Sequence, residues 1–305
     1  MRTFSLAALT SALAISATMA ATMVSAEEIK VGVSPGEHGE IMEEVAKVAK
    51  DKGLTIDIVE FTDYVVPNQA LADGDLQANS FQHQPYLDNQ IKDRGFDLVA
   101  IARTITTPMG VYSDKLKSLD ELPDGAKVAI PNDPTNGGRA LLLLQDKGAI
   151  TLAENTGLTP SPLDVTGNPK NFRFLELDAA QLPRALADAD IAIINTNYAL
   201  DAGLNPNEDA IAMEKPDSPY ANIIVVRNGD EDAAWAKQLV EAYHDPAVKQ
   251  FIEEKYQAPS SRPGDPFRFP NTPGESRHAT GQSPHPRVTQ ETPPPTKWGV
   301  FSFRL

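Results

Sequence analysis

Between residues 29 and 256 the chain alternates short apolar runs of strand length with segments whose apolar residues recur at helical spacing, and this alternation constrains the fold more than any other feature. Residues 29–34 alternate apolar with polar or small side chains, Pro35-Gly36 interrupts them, and Ile41, Val45 and Val48 then repeat on one helical face as far as Gly53. Residues 55–61 read as a second strand, 67–72 as a short helix opened by Pro67, and 97–104 as a third strand. Before that strand, Pro85 suits the first position of a helix ending near Gly95. A second set of the same kind follows. Ser118-Leu-Asp-Glu121 has capping-box spacing, 127–131 and 172–177 read as strands around a helix over 135–147, and Asp178 caps a helix through Ala187. Residues 191–196 and 221–227 are buried strands, and 232–243 and 246–256 amphipathic helices. The pattern predicts an α/β fold in two lobes, each a mostly parallel sheet flanked by helices. Open sheets of that kind bind ligands outside the C-terminal ends of their strands, so the expected site is the crevice between lobes.

The two ends differ from this body. Residues 1–26 place Arg2 before an apolar stretch too short to span a bilayer, and Val24-Ser25-Ala26 supplies small residues where a signal peptidase cuts, which predicts export to the periplasm by a cleavable signal peptide. No other run is long and apolar enough for a membrane span. The sequence contains no cysteine, which removes disulfides and thiolate chemistry, and removes the acceptor a lipid anchor would use, so lipid anchoring is not expected. Residues 27–257 carry 20 basic against 39 acidic side chains, disfavouring nucleic acid and anionic lipid as partners. Residues 258–305 hold ten prolines and six Arg/Lys against three acids without apolar periodicity, and read as a disordered Pro-rich tail.

Enzyme chemistry finds little support. Gly32-Val-Ser-Pro-Gly36 has the spacing of a nucleophile elbow after a strand, the basis of a serine hydrolase alternative. The residue after Ser34 is Pro35, however, which has no N–H to give an oxyanion. No histidine pair has metal-ligand spacing and no phosphate loop is present, so neither a metal nor a cofactor is expected.

Three segments carry more information. Pro131-Asn-Asp-Pro-Thr-Asn-Gly-Gly-Arg139 runs from a strand end through turn chemistry into a helix, so Asn136, free first-turn amides and Arg139 make a candidate anion site suited to a small carboxylate. Phe81-Gln-His-Gln-Pro-Tyr86, with Tyr64 upstream, gathers rings at loop and helix-start positions, where they either pack as core or cage an apolar or thioether side chain. Asn195-Thr-Asn-Tyr198 and Ser218-Pro-Tyr-Ala-Asn222 offer neutral amides whose oxygens can accept from an ammonium.

These segments, together with Val31-Gly-Val, Gly36-Glu-His38, Asn168-Pro-Lys-Asn171 and Gln181-Leu-Pro-Arg184, closely resemble the methionine-binding proteins of ABC importers, the MetQ/NlpA family. The resemblance implies a type II periplasmic binding fold: residues 27–106 and 221–257 in lobe I, residues 107–220 in lobe II. It implies Arg139 as carboxylate clamp assisted by Asn136, Asn197 and Asn222 on the amino-acid head group, and Tyr64, Phe81, His83 and Tyr86 around the side chain. The implied partners are methionine and the permease and ATPase of an importer, with the protein itself monomeric; another apolar amino acid or a dipeptide is the alternative ligand.

Overall fold

The computed structural model describes residues 27–215, residues 219–256 and a two-residue strand at 267–268; the expected signal peptide and most of the expected tail lie outside these residues. Strand β1 (Glu27–Val33) leads into α1 (Glu37–Asp51), β2 (Leu54–Glu60), α2 (Val66–Asp73), β3 (Ala78–His83), α3 (Gln84–Arg94) and β4 (Leu98–Arg103). After the two-residue β5 (Ile105–Thr106) come β6 (Gly110–Tyr112), β7 (Lys127–Pro131), α4 (Pro134–Asp146), β8 (Thr151–Leu152), β9 (Val165–Gly167), β10 (Arg173–Leu177), α5 (Leu182–Ala185) and β11 (Ile191–Ile194). The described chain continues through α6 (Thr196–Asp201), α7 (Pro206–Asp209), β12 (Ala212–Met213), β13 (Asn222–Arg227), α8 (Ala234–Tyr243), α9 (Pro246–Tyr256) and β14 (Phe267–Arg268).

Two five-stranded sheets result, ordered β2-β1-β3-β13-β4 and β10-β7-β11-β6-β12. In each, four strands run one way and one runs against them, β13 in the first and β6 in the second. The chain passes between the sheets twice, from β4 to β6 and from β12 back to β13. Strand β14 pairs in parallel with β5 on the first passage.

Side-chain alternation along β13 builds both faces of the first lobe. Ile224 and Val226 pack with Ile41 and Val45 of α1 and with α8 and α9, while Ile223 and Val225 pack with Leu71, Leu87 and Leu98 on the other face. Each aliphatic side chain so buried contributes roughly 1.5–3 kcal/mol. In the second lobe Val128, Ile130, Ile191 and Ile193 face α4, and Ala129, Ala192 and Ile194 face α5 and α6. Among the described residues no helix is long and apolar enough to cross a membrane.

The strand reading missed β3, because Ala-Asn-Ser-Phe-Gln-His carries too few apolar residues to signal one, yet all six are buried. Their polarity is absorbed internally. Gln82 and Asn68 exchange hydrogen bonds through both ends of their amides, at 2.8 and 2.6 Å, and Asn79 joins them. The antiparallel register of β3 with β13 sets Asn222 directly beside His83.

Candidate functional site

The ring cluster stands where β3 gives way to α3. His83 is the N-cap of α3: its backbone is extended, and its Nδ1 accepts from the Tyr86 amide at 3.1 Å. Phe81 and His83 therefore sit on a strand, and only Tyr86 is on the helix, which corrects the loop placement read from the sequence. Tyr64 lies 6.0 Å from Phe81, 6.2 Å from Tyr86 and 5.0 Å from Tyr198 between ring centroids. Tyr86 donates its hydroxyl hydrogen to the Tyr64 carbonyl, and Tyr64 donates to Asn197 Oδ1 in the second lobe at 2.5 Å.

Opposite the rings, α4 begins at an Asp133 cap. Asp133 Oδ1 accepts from the amides of Thr135 and Asn136, and Oδ2 from Asn136 Nδ2. The first-turn amides read as free are thus committed to a side chain of the protein, so the anion site is not a bare helix N-terminus. Asn136 Oδ1 is 2.9 Å from Asn195 Nδ2 and 3.2 Å from His83 Nε2. Asn136 braces the two lobes against each other. The turn needs Gly137, since a Cβ there would stand 2.6 Å from the Pro131 carbonyl oxygen.

Arg139 lies one turn into α4 with its side chain 3% exposed. Its Nε and Nη2 pair with Glu214, and Nη2 also donates to the Thr107 carbonyl at 2.8 Å. The two-pronged Nε/Nη2 edge, one of those that could grip a carboxylate, is therefore taken from within the protein. Sequence reasoning could not find Glu214, because its partner is 75 residues away and nothing around it is a motif.

Three amides complete the lining. Asn197 Oδ1 is occupied by Tyr64, leaving Nδ2 buried without a partner among the described residues, whereas Asn195 Oδ1 is buried without such a partner and its Nδ2 is engaged. The group open at Asn197 is thus a donor, and the acceptor expected there is supplied by Asn195, two residues earlier in the same sequence segment. Asn222 is 5% exposed beside His83. Tyr64, Phe81, His83, Tyr86, Asn136, Arg139, Asn197 and Asn222, the eight positions singled out from sequence, all line one narrow hollow. His38, Gln82, Thr107 and Asn195 line it as well. Of these, His38, Gln82 and Asn195 stood within segments already noted in the sequence; Thr107 carried no such signal.

Burial sets the protonation of the wall. It brings His83 down to about 3, helped by the nearby Arg139 charge, and His38 down to about 4. With Nδ1 accepting from an amide, neutral His83 carries its hydrogen on Nε2 and donates it to Asn136. Burial holds Glu37 up at about 8, so this carboxyl is protonated at neutral pH. Ser34 is fully buried and its Oγ has no hydrogen-bond partner among the described residues, neither base nor acceptor. No cluster of metal-ligating side chains occurs among the described residues. A larger cavity of about 650 Å³ opens between α1 and α6, but among the described residues Glu40, Glu43, Glu60 and Asp201 line it against the one cation Lys255, so its net negative charge disfavours a carboxylate.

Two mixed sheets joined by two passages, meeting over a hollow that draws its lining from both, define the two-lobed fold of periplasmic substrate-binding proteins. Residues 29–262 match the NlpA lipoprotein family, and the chain belongs to that family. It is 54% identical over 223 residues to the D-methionine-binding lipoprotein MetQ of Salmonella typhimurium, covering 72% of this chain and 82% of that protein. Among solved structures it resembles a nutrient-binding protein from Burkholderia cenocepacia bound to methionine, at 55% identity and TM-score 0.74, over 75% of this chain and 97% of the other. An ABC transporter periplasmic substrate-binding protein from Coxiella burnetii is 48% identical, with TM-score 0.72, over 74% and 96% of the two chains.

The names of the family and of the Salmonella relative overturn one expectation. Both are lipoproteins, so the argument against lipid anchoring fails. It rested on the absence of one residue type, whereas the similarity runs through the whole folded body.

Proposed function

We propose that the protein is a periplasmic solute-binding protein that captures methionine and delivers it to the permease and ATPase of an ABC importer, acting as a monomer and not as an enzyme. Lobe I would comprise residues 27–106 and 221–257, and lobe II residues 107–220. The observation that carries the reading is the convergence of a ring wall from the first lobe with Arg139 and four asparagines on one hollow. A guanidinium suits an α-carboxylate, amide oxygens suit an ammonium, and ring edges suit a thioether sulfur. A relative named for D-methionine and a related structure bound to methionine support the same ligand.

Ligand bridging both walls favours the closed lobes, because only the closed form offers both sets of contacts at once. A buried Ser34 followed by a proline, with no base among the described residues against its hydroxyl, argues for binding rather than turnover. The deciding experiment is mass spectrometry of the small molecule released on denaturing the purified protein, followed by calorimetry with L- and D-methionine. Methionine recovered and rebound supports the reading; a different released solute, or no heat with either isomer, sinks it.

A further inference from the structure

Arg139 is held from behind. Its Nε lies 3.1 Å from both oxygens of Glu214, its Nη2 serves Glu214 Oε2 and the Thr107 carbonyl, and its guanidinium carbon sits 4.4 Å over the Tyr220 ring. Of the five guanidinium N–H groups, the one on Nε and the two on Nη2 are committed. The two on Nη1 bond to none of the described residues and remain for a ligand. Glu214 does not line the hollow; it flanks a second, outer depression with Leu142, Leu158 and Pro219 on the far side of Arg139. Its Oε2 also accepts from the Met109 amide at 3.3 Å, which ties the pair to the first passage between the lobes, while Glu214 itself begins the second.

The charges decide what such an arrangement selects. A lone buried guanidinium favours any anion. With Glu214 pinned to it, at 12% exposure against 3% for Arg139, the pair is electrically balanced, and the histidines lining the hollow are neutral. A ligand carrying only a carboxylate then brings an uncompensated charge into a neutral, desolvated space, whereas an amino acid brings its own ammonium and meets the Asn195 oxygen.

We infer that Glu214 is a positioning and specificity residue: by fixing which edge of Arg139 faces the ligand and cancelling its charge, it makes the site take zwitterionic amino acids and reject simple carboxylates. This rests on the proposed reading of Arg139 as the carboxylate holder.

The test is calorimetry of the full chain with L-methionine and with 4-(methylthio)butanoate, the same molecule without its ammonium. In Glu214→Gln the affinity of the des-amino acid relative to methionine rises by roughly tenfold or more, as expected for one charge removed several ångströms away at an effective dielectric near 20. Glu214→Asp, which keeps the charge, keeps the wild-type ratio. Glu214→Met gives the same readout should the Gln variant fail to fold. Equal losses for both ligands, leaving the ratio unchanged, overturn the inference and leave the methionine reading standing. Wild-type protein that binds neither ligand removes the methionine reading, and the inference with it.

Discussion

The His83 ring and the Asn136 amide meet across the cleft, with Nε2 3.2 Å from Oδ1, while the other ring nitrogen caps α3. One side chain thus closes a helix, bridges two lobes and lines the hollow between them. Replacing it by alanine removes a cap worth about 1 kcal/mol and opens the ring wall. His83→Asn restores a capping oxygen without a ring. Denaturant unfolding should therefore show the Asn variant recovering most of the stability that the Ala variant loses. A calorimetric panel should show both variants discriminating less between methionine and smaller apolar amino acids. Uniform losses across the panel would remove His83 from the side-chain wall.

Arg139→Ala should weaken methionine binding by about 2–4 kcal/mol, because it leaves a buried carboxylate without its donor. The Glu214 pairing adds a second consequence. The substitution strands a mostly buried carboxylate, so the unliganded protein should also lose melting temperature, and Glu214→Gln in the same background should return part of it. Additive effects of the two changes on stability would show that the pair is not coupled.

Gly36 controls how closely the lobes approach. Its φ is +83°, and a Cβ there would stand 2.7 Å from the Asn197 carbonyl oxygen in the opposite lobe. Gly36→Ala strains the turn by about 1 kcal/mol and holds the lobes apart. The expected result is a modest fall in melting temperature with at least about a tenfold loss of methionine affinity, and a larger radius of gyration by X-ray scattering with ligand present. Wild-type compaction in the variant would refute this role.

The parts of this molecule legible in its sequence are those written locally. Apolar periodicity marks α1, β11 and β13, and the Pro131 to Arg139 turn can be read because strand end, cap and helix start are contiguous. The direction of β13 against its neighbours is not local, nor is the amide network that lets the polar segment Ala78–His83 run buried as a strand. The same limit applied at the site. Residue types were readable, but which end of the Asn197 amide and which edge of the Arg139 guanidinium remain open depends on Tyr64 and Glu214, brought in by the fold from distant segments.

Buried titratable groups give the protein a stability optimum in pH. Folded Glu37 holds its proton up to about 8, while in the unfolded chain it ionises near 4.5, so its contribution is complete below 4.5 and is lost as pH rises toward 8. His38 and His83 act in the opposite sense. Burial keeps them neutral down to about 4 and about 3, so their contribution is complete above 6.5, where the unfolded histidine is also neutral, and is lost as pH falls. Above 6.5 only the Glu37 contribution slopes; between 4.5 and 6.5 the two histidines oppose one carboxyl and outweigh it. Melting temperature followed by calorimetry from pH 4 to 8.5 should therefore peak near about 6.5. Glu37→Gln keeps the shape and hydrogen-bonding capacity of the protonated acid but cannot ionise. It should abolish the fall on the alkaline side and leave the acid side unchanged. An alkaline slope as steep in the variant as in the wild type would mean that Glu37 is already ionised in the folded protein, its charge met by solvent reaching the start of α1.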